Sequence, residues 1–279
     1  MYLNWQQVGE IIERALAEDI GSGDLTTNAL VAEDAQAKAV ILAKKEGVIA
    51  GLPVAERVFK HLDEKLHWEA KKQDGERVGP DQIVAELEGN LQAILMGERV
   101  ALNLLQRMSG IATLTAKFVD AVRGLPVKIL DTRKNAAGLR MLDKYAVKIG
   151  GGFNHRFGLF DGVLIKENHI KAAGGIAKAI NRVIERVPHT VKIEIEVSSL
   201  KSVEEALQSG ADIIMLDNMP IKEMEKAVRY IDKRALVEAS GGVTLENVRQ
   251  IAATGVDFIS VGALTHSAKA LDLSLEVLQ

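Results

Sequence analysis

The chain has 279 residues, 47% of them apolar, no cysteine, 4% aromatics and a formal net charge of −3. Those figures fit a folded soluble protein with a proper core. They exclude disulfides, thiolate metal sites and cysteine nucleophiles, and they argue against a broad nucleic-acid surface with stacking platforms. No apolar run reaches the ~18 residues of a membrane span. The N-terminus "MYLNWQQVGEIIERALAED" reads as a charged amphipathic helix rather than a signal peptide, so a cytoplasmic protein is expected.

In chain order, the spacing predicts a helix over 4–17, then the stretch "AKAVILAKKEGVIAG" (37–51), then a helix near 53–62. Residues 66–89 read as two alternating strands around Gly- and Pro-marked turns, a small antiparallel unit. From Leu91 to Val122 a helical pattern dominates, with interruptions expected at Gly97 and at Ser109-Gly110. The remainder repeats one unit: a β-branched run, a turn and a helical pattern. The runs are "VKILD" (127–131), "GVLIK" (162–166), "VKIEIEV" (191–197), "DIIML" (212–216), "ALVEA" (235–239) and "DFISV" (257–261).

Strands alternating with helices at this spacing mean parallel strands with helical crossovers. No "GxGxxG" follows a first strand, so the expected fold is α/β, an incomplete TIM-like α/β barrel, rather than an open dinucleotide-binding sheet. Residues 1–110 are then a smaller N-terminal α+β domain and 111–279 the barrel. In such a barrel the chemistry sits at the C-terminal strand ends.

Charge is concentrated there. From Lys128 to Lys171 nine Lys or Arg face four Asp or Glu, a local +5 in an otherwise acidic chain. The strand exits carry Asp131, Arg133 and Lys134; Lys166, Asn168 and His169; Glu196; Asp217 and Asn218; Ser240, Gly241 and Gly242; and Gly262. Arg133, His155, Arg156 and Lys166 suit carboxylates, because a guanidinium grips a carboxylate through two parallel hydrogen bonds. Lys134 and Arg140 suit phosphates. "GGG" (150–152) reads as a helix stop before a flexible loop presenting His155 and Arg156 as a pair.

"EASGGV" and "SVGALTH" look like the late-strand phosphate turns of barrels, the alternative being plain strand-to-helix turns that need positive φ. Glu196 and Asp217 suit Mg²⁺ or sugar hydroxyls, the alternative being helix capping. No zinc spacing, P-loop or nucleophile elbow occurs.

The ordered set "EDIGSGDLTT" (18–27), "GERVALNLLQRMSGIAT" (97–113), "DTRK…GLR" (131–140), "KYAVKIGGGFNHRFGL" (144–159), "LIKENH" (164–169), "EIEV" (194–197), "IMLDNM" (214–219), "EASGGV" (238–243) and "VGALTHS" (261–267) closely resembles the quinolinate phosphoribosyltransferase family. The resemblance implies an N-terminal sandwich domain, a barrel short of eight units and a homodimer or hexamer. In it one subunit's N-terminal region completes the partner's site. It implies transfer from 5-phosphoribosyl 1-pyrophosphate (PRPP) to quinolinate, giving nicotinate mononucleotide, pyrophosphate and CO₂ with Mg²⁺, a step of NAD biosynthesis.

By the same resemblance Arg99 reaches quinolinate from the partner subunit, and Arg133, His155, Arg156 and Lys166 hold its carboxylates. Lys134 faces the phosphoribosyl substrate, and Glu196 and Asp217 its ribose and Mg²⁺. Ser240, Gly241, Gly242, Gly262 and His266 hold its 5′-phosphate. Lys134, Lys166, Glu196 and Asp217 are the expected catalytic set. One departure stands beside the cations: the family usually continues "DTRK" with Thr-Thr-Pro, and this chain has Asn135, Ala136 and Ala137.

Two other classes compete. A barrel lyase or isomerase acting on a phosphorylated small molecule would use the same phosphate turns, with Lys166 as Schiff-base or general-base lysine, but has no need of four further cations. A non-catalytic nucleotide or RNA binder is disfavoured by the low aromatic content and the negative net charge.

Overall fold

A computed structural model describes residues 3–278. The N-terminal elements are α1 (Trp5–Ile20), α2 (Leu25–Leu30), β1 (Gln36–Ala43), β2 (Gly47–Val48), α3 (Leu52–Leu62), β3 (His67–Ala70), β4 (Arg77–Val78), β5 (Ile83–Asn90) and α4 (Leu91–Ala121). Then follow β6 (Lys128–Leu130), α5 (Arg140–Ile149), β7 (Val163–Ile165), α6 (Glu167–Ala173), α7 (Ile176–Ile184), β8 (Ile193–Val197), α8 (Leu200–Gln208), β9 (Ile213–Asp217) and α9 (Ile221–Ile231). The chain closes with β10 (Leu236–Ser240), α10 (Val248–Ala253), β11 (Phe258–Ser260), α11 (Ala263–His266) and β12 (Leu273–Leu278). Among the described residues no helix is long and apolar enough to cross a membrane.

Contacts divide the chain into two compact units, each assembled from separated stretches. The first takes the described residues up to Ala116, then Asn135–Gly151, then those from Ala263 onward. Its sheet has the order β12-β1-β5-β3 and is antiparallel throughout, so the C-terminal strand hydrogen-bonds to β1. Helix α1 starts where the Asn4 side chain accepts the Gln6 and Gln7 N–H groups, and it buries Val8, Ile11, Ile12 and Leu16. Helix α3 starts where the Asp74 carboxylate accepts the Gly51 and Leu52 N–H groups. It buries Val54, Ala55, Val58 and Phe59.

Helix α4 runs 31 residues without the breaks expected at Gly97 and Ser109-Gly110. The glycines serve close approach instead. A Cβ at Gly97 would lie 3.0 Å from the Phe59 ring, and one at Gly110 would overlap the Lys269 carbonyl oxygen. Buried Ser109 accepts the Ala50 N–H at 3.0 Å, so its hydroxyl fastens a neighbouring segment rather than ending the helix.

The second unit, Lys117–Lys134 with Gly152–Gly262, holds all six strands expected in the C-terminal half. They form a parallel sheet of order β6-β11-β10-β9-β8-β7, an incomplete TIM-like barrel whose edges are β6 and β7. Phe153 extends the β6 edge: its N–H donates to the Ile129 carbonyl and its carbonyl accepts the Asp131 N–H.

Residues paired in register share a face of the sheet. One row is therefore Leu164, Glu194 and Ile213, the next Glu196, Met215, Glu238 and Phe258, and the last Asp217 with Ser240. The opposite face is apolar: Ile195, Val197, Ile214, Leu216, Val237, Ala239 and Ile259 are buried there.

Candidate active site

Four carboxylates, Glu194, Glu196, Asp217 and Glu238, thus occupy the barrel's inner face, where Val, Ile and Leu layers usually sit. Lys166 follows β7 in register with them, and its Nζ lies 2.7 Å from Glu196 Oε2. The backbone beneath Lys166 is fixed, because its N–H donates to His169 Nδ1 at 3.0 Å. Glu196 and Asp217 line one cleft of about 310 Å³, with Glu167, Lys171, Ser198 and Ser202 around them. Neither carboxylate caps a helix: Ser199 caps α8, and Pro220 stands at the N-cap of α9. Their oxygens are hard donors in one opening, a set that fits Mg²⁺ completed by phosphate and water.

The cations come from loops of the same unit. Arg133 and Lys134 are exposed just beyond β6, with the Lys134 N–H donating to Thr132 Oγ1 at 3.0 Å. Arg156 donates from one terminal nitrogen to the Gly162 carbonyl at 2.9 Å, while its buried Nε has no partner. Burial and the Arg133 charge hold the Arg156 guanidinium below its usual range, with Glu194 and Asp161 pulling the other way. Two guanidiniums close enough to repel are an arrangement that a dicarboxylate would relieve.

The loop after the glycine run is tied down. The buried Asp131 carboxylate accepts the His155 N–H at 2.8 Å and the Asn154 amide at 2.7 Å. The Asp161 carboxylate accepts the N–H groups of Phe157 and Gly158.

His155 turns inward from this loop. Its Nε2 lies 3.0 Å from Glu194 Oε2 and 3.7 Å from Glu238 Oε1, and its Nδ1 accepts the Arg156 N–H at 2.7 Å. Glu194 and Glu238 are 4% and 2% exposed. Burial, then the adjacent Glu194 charge, push the Glu238 carboxyl up to about 8, while His155 and Ser260 oppose this. Sequence reasoning missed both glutamates. The available signal was Glu194 standing two residues before Glu196 in "IEIEV", hence on the same face, and Glu238 sitting in the apolar run "ALVEA".

At the end of β10, Gly241 (φ 92°) and Gly242 (φ 59°) are both left-handed, and a Cβ at Gly241 would overlap the Asn218 side chain. The Asn218 N–H donates to the Ser240 carbonyl at 2.9 Å, binding this turn to the exit of β9. Gly262 is the last residue of the same unit.

Arg99, Arg140 and His266 belong to the other unit. Arg99 is exposed on α4 with Glu98 Oε1 at 3.3 Å, and His266 Nδ1 lies 2.6 Å from Ser267 Oγ. Arg140 Nε donates to Asn135 Oδ1 at 3.1 Å. The Ala136 N–H donates to buried Asp143, which Arg107 grips through two hydrogen bonds of 2.8 Å. Side-chain hydrogen bonds thus hold the "NAA" turn where the family commonly has a proline.

Comparison with known proteins adds the family. The model of the quinolinate phosphoribosyl transferase N-terminal domain matches residues 24–109, and that of the C-terminal domain matches 111–276. The chain is 44% identical over 275 residues to a probable nicotinate-nucleotide pyrophosphorylase [carboxylating] of Bacillus subtilis (strain 168), covering 99% of this chain and 95% of that one. It is 45% identical over 286 aligned positions to quinolinate phosphoribosyltransferase [decarboxylating] 1b of Nicotiana tabacum, covering 96% and 81%. The crystal structure of NadC from Streptococcus pyogenes superposes with a TM-score of 0.95 at 41% identity, covering both chains completely. Two domain models in order over most of the length, with relatives above 40% identity across it, place this chain in the quinolinate phosphoribosyl transferase family.

Proposed function

We propose that this protein transfers the phosphoribosyl group of PRPP to quinolinate, with loss of pyrophosphate and CO₂, to give nicotinate mononucleotide. The observation that carries the reading is one parallel unit bearing both halves of the chemistry. The Arg133–Arg156 cation pair suits a planar dicarboxylate, and the Glu196–Asp217 cleft suits a pyrophosphorylated sugar. The family membership and the names of the relatives support it.

In this reading Arg133, Arg156 and Lys166 orient quinolinate, and Lys134 and the Ser240-Gly241-Gly242 turn orient the phosphoribosyl group. Glu196 and Asp217 stabilise the positive charge that grows on the ribose as the C1–O bond to pyrophosphate breaks. The same two carboxylates would hold Mg²⁺, whose charge, when bound, neutralises the departing pyrophosphate. The pyridine nitrogen then bonds to C1 and becomes cationic. That ring accepts the electron pair left when the C2 carboxylate departs as CO₂, and a proton takes its place, so positioning is most of the enzyme's task.

For the protein as a whole we propose a homodimer in the cytoplasm, with the N-terminal domain carrying Arg99 into the site of the partner's barrel. Exposed Leu25, Leu30, Leu159 and Phe160, each more than 70% accessible, support an interface. The lyase or isomerase reading is weaker on an observation of the chain itself. Lys166 is half exposed and paired with Glu196, not desolvated as an amine nucleophile requires.

Incubation with Mg²⁺, PRPP and either quinolinate or nicotinate tests the reading. Equal release of pyrophosphate and CO₂ with quinolinate is expected. No release with quinolinate, or release with nicotinate alone, overturns it.

A further inference from the structure

Inside the barrel, below the residues assigned to substrate, His155, Glu194 and Glu238 bring one nitrogen and two carboxylates within 4.8 Å of one another. Such a trio resembles a cation site, but the hydrogen bonds decide otherwise. A backbone N–H can only donate, so the Arg156 N–H at 2.7 Å requires a lone pair on His155 Nδ1. The ring proton must then sit on Nε2, which leaves that nitrogen no lone pair for a metal and makes it a donor to Glu194 Oε2 at 3.0 Å. Both ring nitrogens are thereby engaged by the protein. His155 has none to offer a substrate carboxylate.

We propose that Glu194 is a positioning residue for the quinolinate site: by accepting the Nε2–H of His155 it locks the tautomer whose Nδ1 holds the Arg156 backbone, and so aims the Arg156 guanidinium. The inference rests on Arg156 being a quinolinate ligand. The chain of contacts is continuous. The Asp131 carboxylate fixes the His155 N–H, His155 fixes the Arg156 N–H, and the Gly162 carbonyl takes the guanidinium at 2.9 Å. Glu194 is 4% exposed, and its Oε2 at 3.0 Å is nearer to His155 Nε2 than Glu238 Oε1 at 3.7 Å. Without it the Nδ1–H tautomer becomes accessible. That form confronts the Arg156 N–H with another N–H and drives the two apart.

The first test needs no variant and no substrate. In the full-length protein labelled with ¹⁵N-histidine at pH 7, the assigned His155 ring should show a neutral imidazole protonated on Nε2. An Nδ1–H or doubly protonated ring overturns the proposal. The second test is kinetic. Glu194→Ala should raise the KM for quinolinate roughly 10- to 100-fold, as displacement of a binding group by about 1 Å does, and leave the KM for PRPP within about twofold. Glu194→Gln should restore most of the loss, because its amide oxygen still accepts the Nε2–H. An unchanged quinolinate KM in Glu194→Ala, an equal rise for both substrates, or a Gln variant as impaired as Ala overturns it. If Glu194→Ala does not fold, the wild-type spectrum and the Gln variant still decide. Inactivity of the wild-type enzyme towards quinolinate is a separate result, which the spectrum does not depend on.

Discussion

Glu238 holds its proton far above the pH at which an exposed glutamate loses it, and the cause is local: burial in a strand interior, then the charge of Glu194. The folded state therefore binds a proton that the unfolded chain releases above its ordinary carboxylate range. Stability falls as pH rises from about 4.5 towards 8 and levels off beyond. Glu238→Gln keeps the neutral form without taking up that proton. Thermal melts should show the variant close to the wild type near pH 5 and more stable by a few kcal/mol at pH 8; a constant difference across the range refutes the assignment. Arg133, Lys166, Glu196 and Asp217 were legible in the sequence because they lie at strand exits, where any parallel barrel places its chemistry. Glu194 and Glu238 were not. A glutamate inside an apolar strand reads the same whether its face meets water or a closed interior.

Local propensity and tertiary contact disagree most plainly in α4. Two glycines and a serine look like helix breaks in isolation, yet the helix passes through them because neighbouring elements come closer there than a Cβ allows. Opposite outcomes follow for two helical glycines. Gly9, on α1 with nothing within 4 Å of its missing Cβ, should gain roughly 0.5–1 kcal/mol on mutation to Ala, the ordinary cost of a helical glycine. Gly110→Ala should lose about 1–3 kcal/mol, because the new methyl overlaps the Lys269 backbone. Denaturant melts of the two variants check both signs. The "NAA" turn is a second case: the proline's restraint is gone, and the bonds from Arg140 to Asn135 and from Ala136 to Asp143 hold the approach to α5.

At the scale of the whole molecule, the proposed homodimer, with each site completed by the partner's Arg99, predicts complementation. Arg99→Ala and Arg133→Ala, each inactive alone, should regain about a quarter of wild-type activity when mixed and allowed to exchange, since random pairing leaves one intact site in half the dimers. No rescue despite verified exchange places both residues in one subunit's site. The sequence by itself determined the parallel α/β barrel, its six strands and the cationic mouth, because these follow from local periodicity, strand-end position and the ordered family motifs. Only the tertiary structure decided what periodicity does not encode. It returned Leu273–Leu278 to pair with β1, and it carried α4 unbroken past its glycines. It also turned His155 away from the mouth onto Glu194 and Glu238. Each of these is a contact between residues distant in the chain, set by what the folded backbone brings within hydrogen-bonding or van der Waals reach.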